Sequence, residues 1–504
     1  MPGYHVENFG CRATQADGAA LEHQLEARGL TRAASPTQAE LVVLNTCTVT
    51  AAADQDARAA IRRVQRQNPN AKIVVTGCYA QRAPEEIAAL PGVTCVIGNS
   101  HKHQLAEIAL SDLGQHIRRD NQDEDTHQHG REGYRFSRTE NTYPAQNLIL
   151  TSALTENWQP KTTSIYVSDI FAHTELLAAP VFEAANQRTR PNLKVQDGCD
   201  NRCSFCVIPY VRGQSRSLPL PEIIREVNTL IDAGYRELVI SGINLGRWGR
   251  DLAISSQPSA FSNEDARQPS SPDGQHQGGQ RFESLIRAIL KETSLQKLRI
   301  SSVEPMDWSD ELIALVAESP RIAKHAHVPL QSGSDAVLRR MHRKYRPWHY
   351  REKIEKIRAA MPAAAIGADV MVGFPGETEA EFEATRRFIT ELPFTYLHVF
   401  TYSARPGTPA ASMRQQVPVQ LARERNKILR NLGEEKKQSF MRSFVGQTVE
   451  AITLESNGLT SHTEALTDNY LKLQLKGRHD SNRWLHVRVE RLVDGALTGF
   501  ADVM

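Results

Sequence analysis

Two periods alternate along most of the chain: short β-branched runs of strand type, and longer segments in which apolar residues return every three or four positions. Over the first hundred or so residues this predicts strands at 4–9, 40–46 and 71–77 and helices at 16–28, 51–67 and 84–90. Such alternation argues for a parallel, doubly wound sheet. From 190 to about 410 it recurs six times, with strands predicted at 193–196, 237–241, 298–303, 325–329, 366–372 and 397–402. Helical patterns fall between them at 220–233, 282–291, 309–317, 348–361 and 379–392. Six βα units predict a partial, open barrel rather than the closed eightfold form. A basic helix at 421–442 leads into short strands at 448–454, 464–467, 470–475, 485–489 and 498–502, the pattern of a small β-barrel.

Two stretches lose periodicity. Residues 114–188 are polar and charge-dense and read as linker, part of which packs on the core; residues 251–281, rich in Ser, Gln, Gly, Asp and Pro, read as a surface loop. The fold class is therefore α/β: an N-terminal doubly wound α/β domain at 1–112, a linker or insertion at 113–188, a central partial (βα)6 barrel at 189–438 interrupted by the 251–281 insertion, and a C-terminal small β-barrel at 439–504. The length of 504 residues accommodates these cores comfortably.

Composition adds little. The formal net charge is +2, so any nucleic-acid surface must come from local patches. No apolar run is long enough for a membrane span, and residues 1–10 lack the basic and apolar regions of a signal peptide. The expected location is cytoplasmic, and seven cysteines read mainly as metal ligands fit a reducing compartment.

The chemistry concentrates at Cys199, Cys203 and Cys206, a C-x3-C-x2-C run directly after the first barrel strand. Three thiolates on one loop suit an iron–sulfur cube: soft ligands hold three irons and leave the fourth open to an exogenous molecule. A zinc site wants a fourth Cys or His in a second knuckle, and none follows within the next hundred residues. A disulfide framework would leave an odd thiol.

Cys11, Cys47 and Cys78 each follow a predicted strand of the first domain. Strand C-termini line the ligand crevice of open α/β sheets, so these three thiols should meet and share a metal cluster, although each alone reads equally as a small buried hydrophobe. Cys95 sits in an apolar strand-like run and reads as core.

Other barrel strand ends carry groups that a cofactor could use: Ser241, Gly242 and Asn244 for an amino-acid end, Glu304 for ribose hydroxyls, and His327 and Gln331. Each of them alone reads as readily as a cap or turn residue. Gly373 and Gly376 form a turn before a helix. Residues 339–358 are strongly basic, with Arg343, Lys344 and Arg346 at their centre and Tyr345, Trp348 and Tyr350 interleaved. That set suits phosphate contact and base stacking; a solvated helix face explains it as well.

The C-x3-C-x2-C run after a strand resembles the radical S-adenosylmethionine superfamily. With the three strand-end cysteines and the small terminal barrel, nearly the whole chain resembles the radical S-adenosylmethionine methylthiotransferases. The segments Asn45-Thr-Cys-Thr-Val-Thr50, Lys194-Val-Gln-Asp-Gly-Cys199, Arg212-Gly-Gln-Ser-Arg-Ser217 and Ser241-Gly-Ile-Asn-Leu-Gly246 are most similar to the MtaB type. The resemblance implies two [4Fe-4S] clusters: one at Cys199, Cys203 and Cys206 that binds S-adenosylmethionine, and a second at Cys11, Cys47 and Cys78. It implies a TRAM-like RNA-binding terminal barrel, and two molecules of S-adenosylmethionine, one to methylate a sulfur at the second cluster and one to yield a 5′-deoxyadenosyl radical. The implied substrate is N6-threonylcarbamoyladenosine 37 in the anticodon stem-loop of tRNA, methylthiolated at C2, with a low-potential electron donor as partner and no membrane. Isopentenyladenosine 37 and a ribosomal-protein aspartate are the competing substrates within the family; an RNA-binding iron–sulfur protein without turnover, or a radical enzyme doing plain methylation, are the readings outside it.

Overall fold

The computed structural model of the protein describes residues 2–111, 163–173, 190–252, 280–455 and 462–501. The N-terminal domain is a six-stranded parallel sheet of order β2-β1-β3-β4-β5-β6, built from β1 (Gly3–Asn8), β2 (Thr31–Arg32), β3 (Leu41–Thr46), β4 (Lys72–Gly77), β5 (Val93–Gly98) and β6 (Ser164–Tyr166). Every residue of β3 is buried, as a central strand covered on both faces requires. The helices α1 (Arg12–Glu26) and α2 (Ala51–Gln67) are among those that flank it. Cys95 lies at 1% exposure in one of the two apolar clusters of this sheet, as core.

The edge strand β6 lies within the 114–188 stretch and is a part of it that packs on the core. Cys95, Val96 and Ile97 pair in parallel with Ser164, Ile165 and Tyr166, so residues 163–173 of that stretch belong to the first domain. Three residues are too few to show a period. The remainder of the predicted linker and nearly all of the 251–281 insertion lie outside the described residues.

The central domain contains the six predicted parallel strands: β7 (Asn192–Asp197), β9 (Glu237–Gly242), β10 (Lys297–Ile300), β11 (His325–His327), β12 (Ala365–Val372) and β13 (Tyr396–Thr401), with the short antiparallel β8 (Arg216–Ser217) beside β7. Pairing runs β10-β9-β7 and β11-β12-β13, and at the seam the Val303 N–H donates to the His327 carbonyl (3.1 Å). Leu193, Val195, Leu238, Ile240, Leu298, Ala368 and Val370 pack outward against the helices in one large apolar cluster. The alternate positions, among them Lys194, Gln196, Arg299, His327 and Asp369, therefore point to the barrel interior.

The N-terminal domain spans the open side of the arc, between β7 and β13. The Asn192 side chain donates to the Arg12 carbonyl (3.1 Å) near β7, and Arg405, after β13, reaches Asp54 (2.7 Å) and the Thr48 carbonyl (3.1 Å).

The helix Val419–Arg442 leads to a closed five-stranded barrel of β14 (Thr448–Thr453), β15 (His462–Thr467), β16 (Lys472–Lys476), β17 (Trp484–Val493) and β18 (Ala496–Ala501). Its β15–β16 turn plugs the lower end of the central barrel. Arg299 donates to the carbonyls of Asp468 (2.7 Å) and Thr467 (3.2 Å), its guanidinium lies 4.1 Å from the Tyr470 ring, and Tyr470 receives a hydrogen bond from Arg12 (2.9 Å).

Candidate active site at the junction of the two α/β domains

The loop after β7 must turn sharply to bring three cysteines together. Gly198 makes the turn at φ +71°, where a Cβ would lie 1.8 Å from the Gln214 carbonyl oxygen, so only glycine fits. Gln196 fastens the loop: its amide donates to the carbonyls of Asp197 (2.8 Å) and Gly198 (2.9 Å) and accepts the Asn244 N–H (2.7 Å). Ser204 ties the far side through the Met341 carbonyl (3.1 Å). Burial pushes the Cys206 thiol up to about 12, with Cys203 adding to it, and burial likewise raises Cys199. Thiols held this way ionise only against a nearby cation or metal.

The sequence-predicted pocket residues distribute unevenly. Asn244 donates to the Cys199 sulfur (3.7 Å), while its Oδ1 and the hydroxyl of buried Ser241 have no hydrogen-bond partner. Unsatisfied buried polar atoms beside a thiol triad suit a polar ligand. Gly242 backs onto Gln196, where a Cβ would come within 2.9 Å. Glu304 is engaged through one oxygen by Arg343. His327 lies deeper in the barrel, 3.1 Å from Asp369, and Gln331 contributes backbone hydrogen bonds to Asp369 and Met371 from a left-handed conformation at φ +64°.

Of the three basic residues expected to contact RNA, Arg343 and Arg346 are engaged within the protein. Arg343 is buried, donates to the Cys203 sulfur (3.2 Å) and to Tyr345 Oη (3.2 Å), and pairs with Glu304, so it belongs to the triad. Arg346 pairs with Asp335 (3.2 Å) and donates to two backbone carbonyls (3.1 Å each). Lys344 is exposed and lines the cleft with Asn201, Cys203, Arg247, Glu304 and Met306. The rest of the basic run is largely neutralised: Arg340 by Glu381, Arg351 by Glu391 and Lys356 by Asp310 and Glu352. Tyr345 and Tyr350 are buried, leaving Trp348 as the exposed aromatic.

Cys11, Cys47 and Cys78 meet where the N-terminal sheet faces the barrel. Gly10, at φ +106°, lies against Cys47, and a Cβ there would fall 2.9 Å from its sulfur. Thr14 Oγ1 lies 3.6 Å from the Cys11 sulfur and Asn99 donates to Cys78 (3.6 Å). Burial, then the neighbouring Cys78, pushes the Cys47 thiol up to about 12.

Beneath this second triad lies a buried ionic network that the sequence reading did not single out. Asp17 receives Lys102 (3.0 Å), Lys194 and Arg212 (2.9 Å), while Asp197 receives Lys194 (2.8 Å) and Arg212 (3.0 Å). With all five ionised, Lys102, Lys194 and Arg212 exceed Asp17 and Asp197 by one positive charge. Arg212 lies within electrostatic reach of Cys78 and Cys11, and Lys102 within reach of Cys78. A thiolate-ligated cluster of net negative charge would balance that excess at the second triad, and buried Arg343 sets a cation against the first, so the residues present fit an iron–sulfur group at each.

An open arc of six parallel strands, with a three-cysteine loop at the C-terminal end of the first, defines a radical S-adenosylmethionine enzyme. The chain matches the Radical SAM superfamily over residues 193–389 and the description "Uncharacterized protein family UPF0004" over residues 3–98. The radical methyltransferase TsrM of Kitasatospora setae, solved with cobalamin and a [4Fe-4S] cluster, shares this fold at TM-score 0.50 and 15% identity, over 81% of this chain and 73% of its own. Relatives narrow the class. The chain is 34% identical to the threonylcarbamoyladenosine tRNA methylthiotransferase MtaB of Bacillus subtilis, over 94% of this chain and 90% of that protein. It is 31% identical to the MtaB of Aquifex aeolicus, over 96% and 99%. The tRNA-2-methylthio-N(6)-dimethylallyladenosine synthase of Thermobifida fusca is also 31% identical, over 97% and 83%. This chain belongs to the MtaB-type radical S-adenosylmethionine methylthiotransferase family.

Proposed function

We propose that the protein is a tRNA methylthiotransferase that places a methylthio group on C2 of N6-threonylcarbamoyladenosine at position 37, beside the anticodon. The observation that carries this reading is the pair of thiol triads at one domain junction, in a chain similar along almost its whole length to enzymes named for that reaction. The C2 position is an unactivated C–H, and two [4Fe-4S] clusters with S-adenosylmethionine supply, when bound, the radical and the sulfur donor it needs.

The chain's own groups divide the work. Cys199, Cys203 and Cys206 hold one cluster, with Arg343 donating to one of the three sulfurs. Ser241, Gly242 and Asn244 receive the amino-acid end of the cofactor, Asn244 from beside Cys199, and Glu304 keeps its second oxygen for a ribose hydroxyl. Cys11, Cys47 and Cys78 hold the other cluster over Arg212 and Lys102. Gln331 and His327 shape the barrel interior. The C-terminal barrel acts as a TRAM-like RNA contact and Lys344 meets the RNA at the rim of the cleft. A low-potential reductase supplies electrons, in the cytoplasm; no helix among the described residues is long and apolar enough to cross a membrane.

Mass spectrometry of tRNA nucleosides tests the reading in cells. Deleting the gene should remove the 2-methylthio form of threonylcarbamoyladenosine, and restoring this chain should return it. An unchanged level of that nucleoside, with loss of methylthiolated isopentenyladenosine instead, would give the protein a different substrate.

A further inference from the structure

Asp369 on β12 and His398 on β13 stand opposite one another in the strand register. Ala368, Val370, Leu397 and Val399 pack toward the helices, so Asp369 and His398 face the barrel interior. One Asp369 oxygen lies 3.1 Å from His327 Nε2 and 3.4 Å from His398 Nδ1. His327 turns its other nitrogen to Ser302, two positions before Glu304, whose partner Arg343 touches Cys203. The cluster therefore shares the barrel with the first triad.

The neighbouring groups restrict what this cluster can bind. Burial raises the Asp369 carboxyl, but His327 and His398 overcome it and hold it below the ordinary carboxylate range, so the group stays charged. His398 turns its Nδ1 to Asp369, and its side chain is 56% exposed. Tyr396 flanks it, with ring centroids 5.3 Å apart. His325, lower in the barrel, is bonded to Tyr396 Oη (2.7 Å) and kept neutral by burial, with the Tyr470 ring 4.3 Å from its own. The other inward cations are committed: Lys194 to Asp17 and Asp197, Arg299 to Glu237, and Lys297 to Glu450 and the Pro320 carbonyl. His398 thus presents its half-exposed imidazole, held at Nδ1 by Asp369, to an anion inside the barrel.

We propose that His398, oriented by Asp369, reads the carboxylate of the threonylcarbamoyl substituent inside the barrel and so separates that substrate from adenosines with an uncharged N6 group. The inference rests on the tRNA reading above. Its chemistry is a carboxylate–imidazolium–carboxylate relay, with no bond made or broken.

The test uses the full-length, anaerobically reconstituted enzyme and two anticodon stem-loops, one carrying threonylcarbamoyladenosine and one its carboxamide analogue. The wild type should favour the carboxylate loop by about tenfold in KM, the worth of one charged hydrogen bond. His398→Gln should erase that preference by raising KM for the carboxylate loop alone, with kcat little changed, and Asp369→Asn should weaken it in the same direction. His398→Asn supplies the same comparison should glutamine disturb packing. A preference that survives in these variants while methylthiolation proceeds would overturn the role of His398 and leave the function standing. Stoichiometric zinc or manganese on the wild type, lost in His398→Gln, would also overturn it by assigning the three groups to a metal. A wild type that modifies neither loop but does modify an isopentenyladenosine loop would remove the underlying reading.

Discussion

Arg343 stands between Glu304 and the Cys203 sulfur, with its guanidinium also on Tyr345, and its position decides two things at once. It neutralises a carboxylate only a quarter exposed, and it directs a charged donor at a cluster-ligand sulfur. Arg343→Ala should cost about 1–3 kcal/mol of stability, the price of leaving a buried partner unsatisfied. Its iron content should fall from two clusters per chain toward one, and thermal melts with iron analysis read both effects. Arg343→Lys keeps the charge but loses the planar fork, and should recover iron more fully than stability. Burial separates Arg343 from Lys344, two neighbours in one basic run. That difference is invisible in a string of charges, because pairing depends on partners that lie 39 and 140 positions away. The cysteines were legible because ligand chemistry constrains residue type and spacing together.

At the scale of elements, α1 joins the first domain to the barrel by inserting Asp17 among Lys102, Lys194 and Arg212. Burial alone would push the Asp17 carboxyl up, but the three cations overcome it and hold it below the ordinary range; Asp197 is held down in the same way, by Arg212 first and then Lys194 and Arg216. Depressed folded-state values mean that this stabilisation is complete above the ordinary carboxylate value of 3.8 and is lost as the pH falls below it. Asp17→Asn leaves buried cations in excess and should destabilise the protein by about 3–5 kcal/mol. Melting curves against pH should show the gap between wild type and variant widest near neutrality and closing below about pH 4. The predicted strands and helices lie close to their observed bounds because period and burial agree in them, as in β3 and α2. The Asp17–Lys194 contact joins positions 177 apart, and no local pattern encodes such a pairing. Strand β6 escaped detection for a different reason, its three-residue length.

In the whole molecule, the first domain closes the open flank of the barrel and the terminal barrel plugs its lower end. Arg299 is the hinge of the second contact: fully buried against Glu237, capped by the Thr467 and Asp468 carbonyls and covered by Tyr470. Arg299→Ala would strand the Glu237 carboxylate without solvent. It should lower stability by about 3–5 kcal/mol in chemical denaturation and speed proteolysis between the central and terminal barrels. The arrangement places both cysteine triads and the inward face of β11, β12 and β13 around one interior. The division of labour between the triads is the central claim, and the reconstituted enzyme tests it with S-adenosylmethionine, reductant and a threonylcarbamoyladenosine stem-loop. Wild type should yield both 5′-deoxyadenosine and the methylthiolated nucleoside; Cys47→Ala should still cleave the cofactor to 5′-deoxyadenosine yet form no methylthiolated product. Methylthiolation by Cys47→Ala, or loss of cofactor cleavage in a folded variant that retains the first cluster, would contradict separate roles for the two triads.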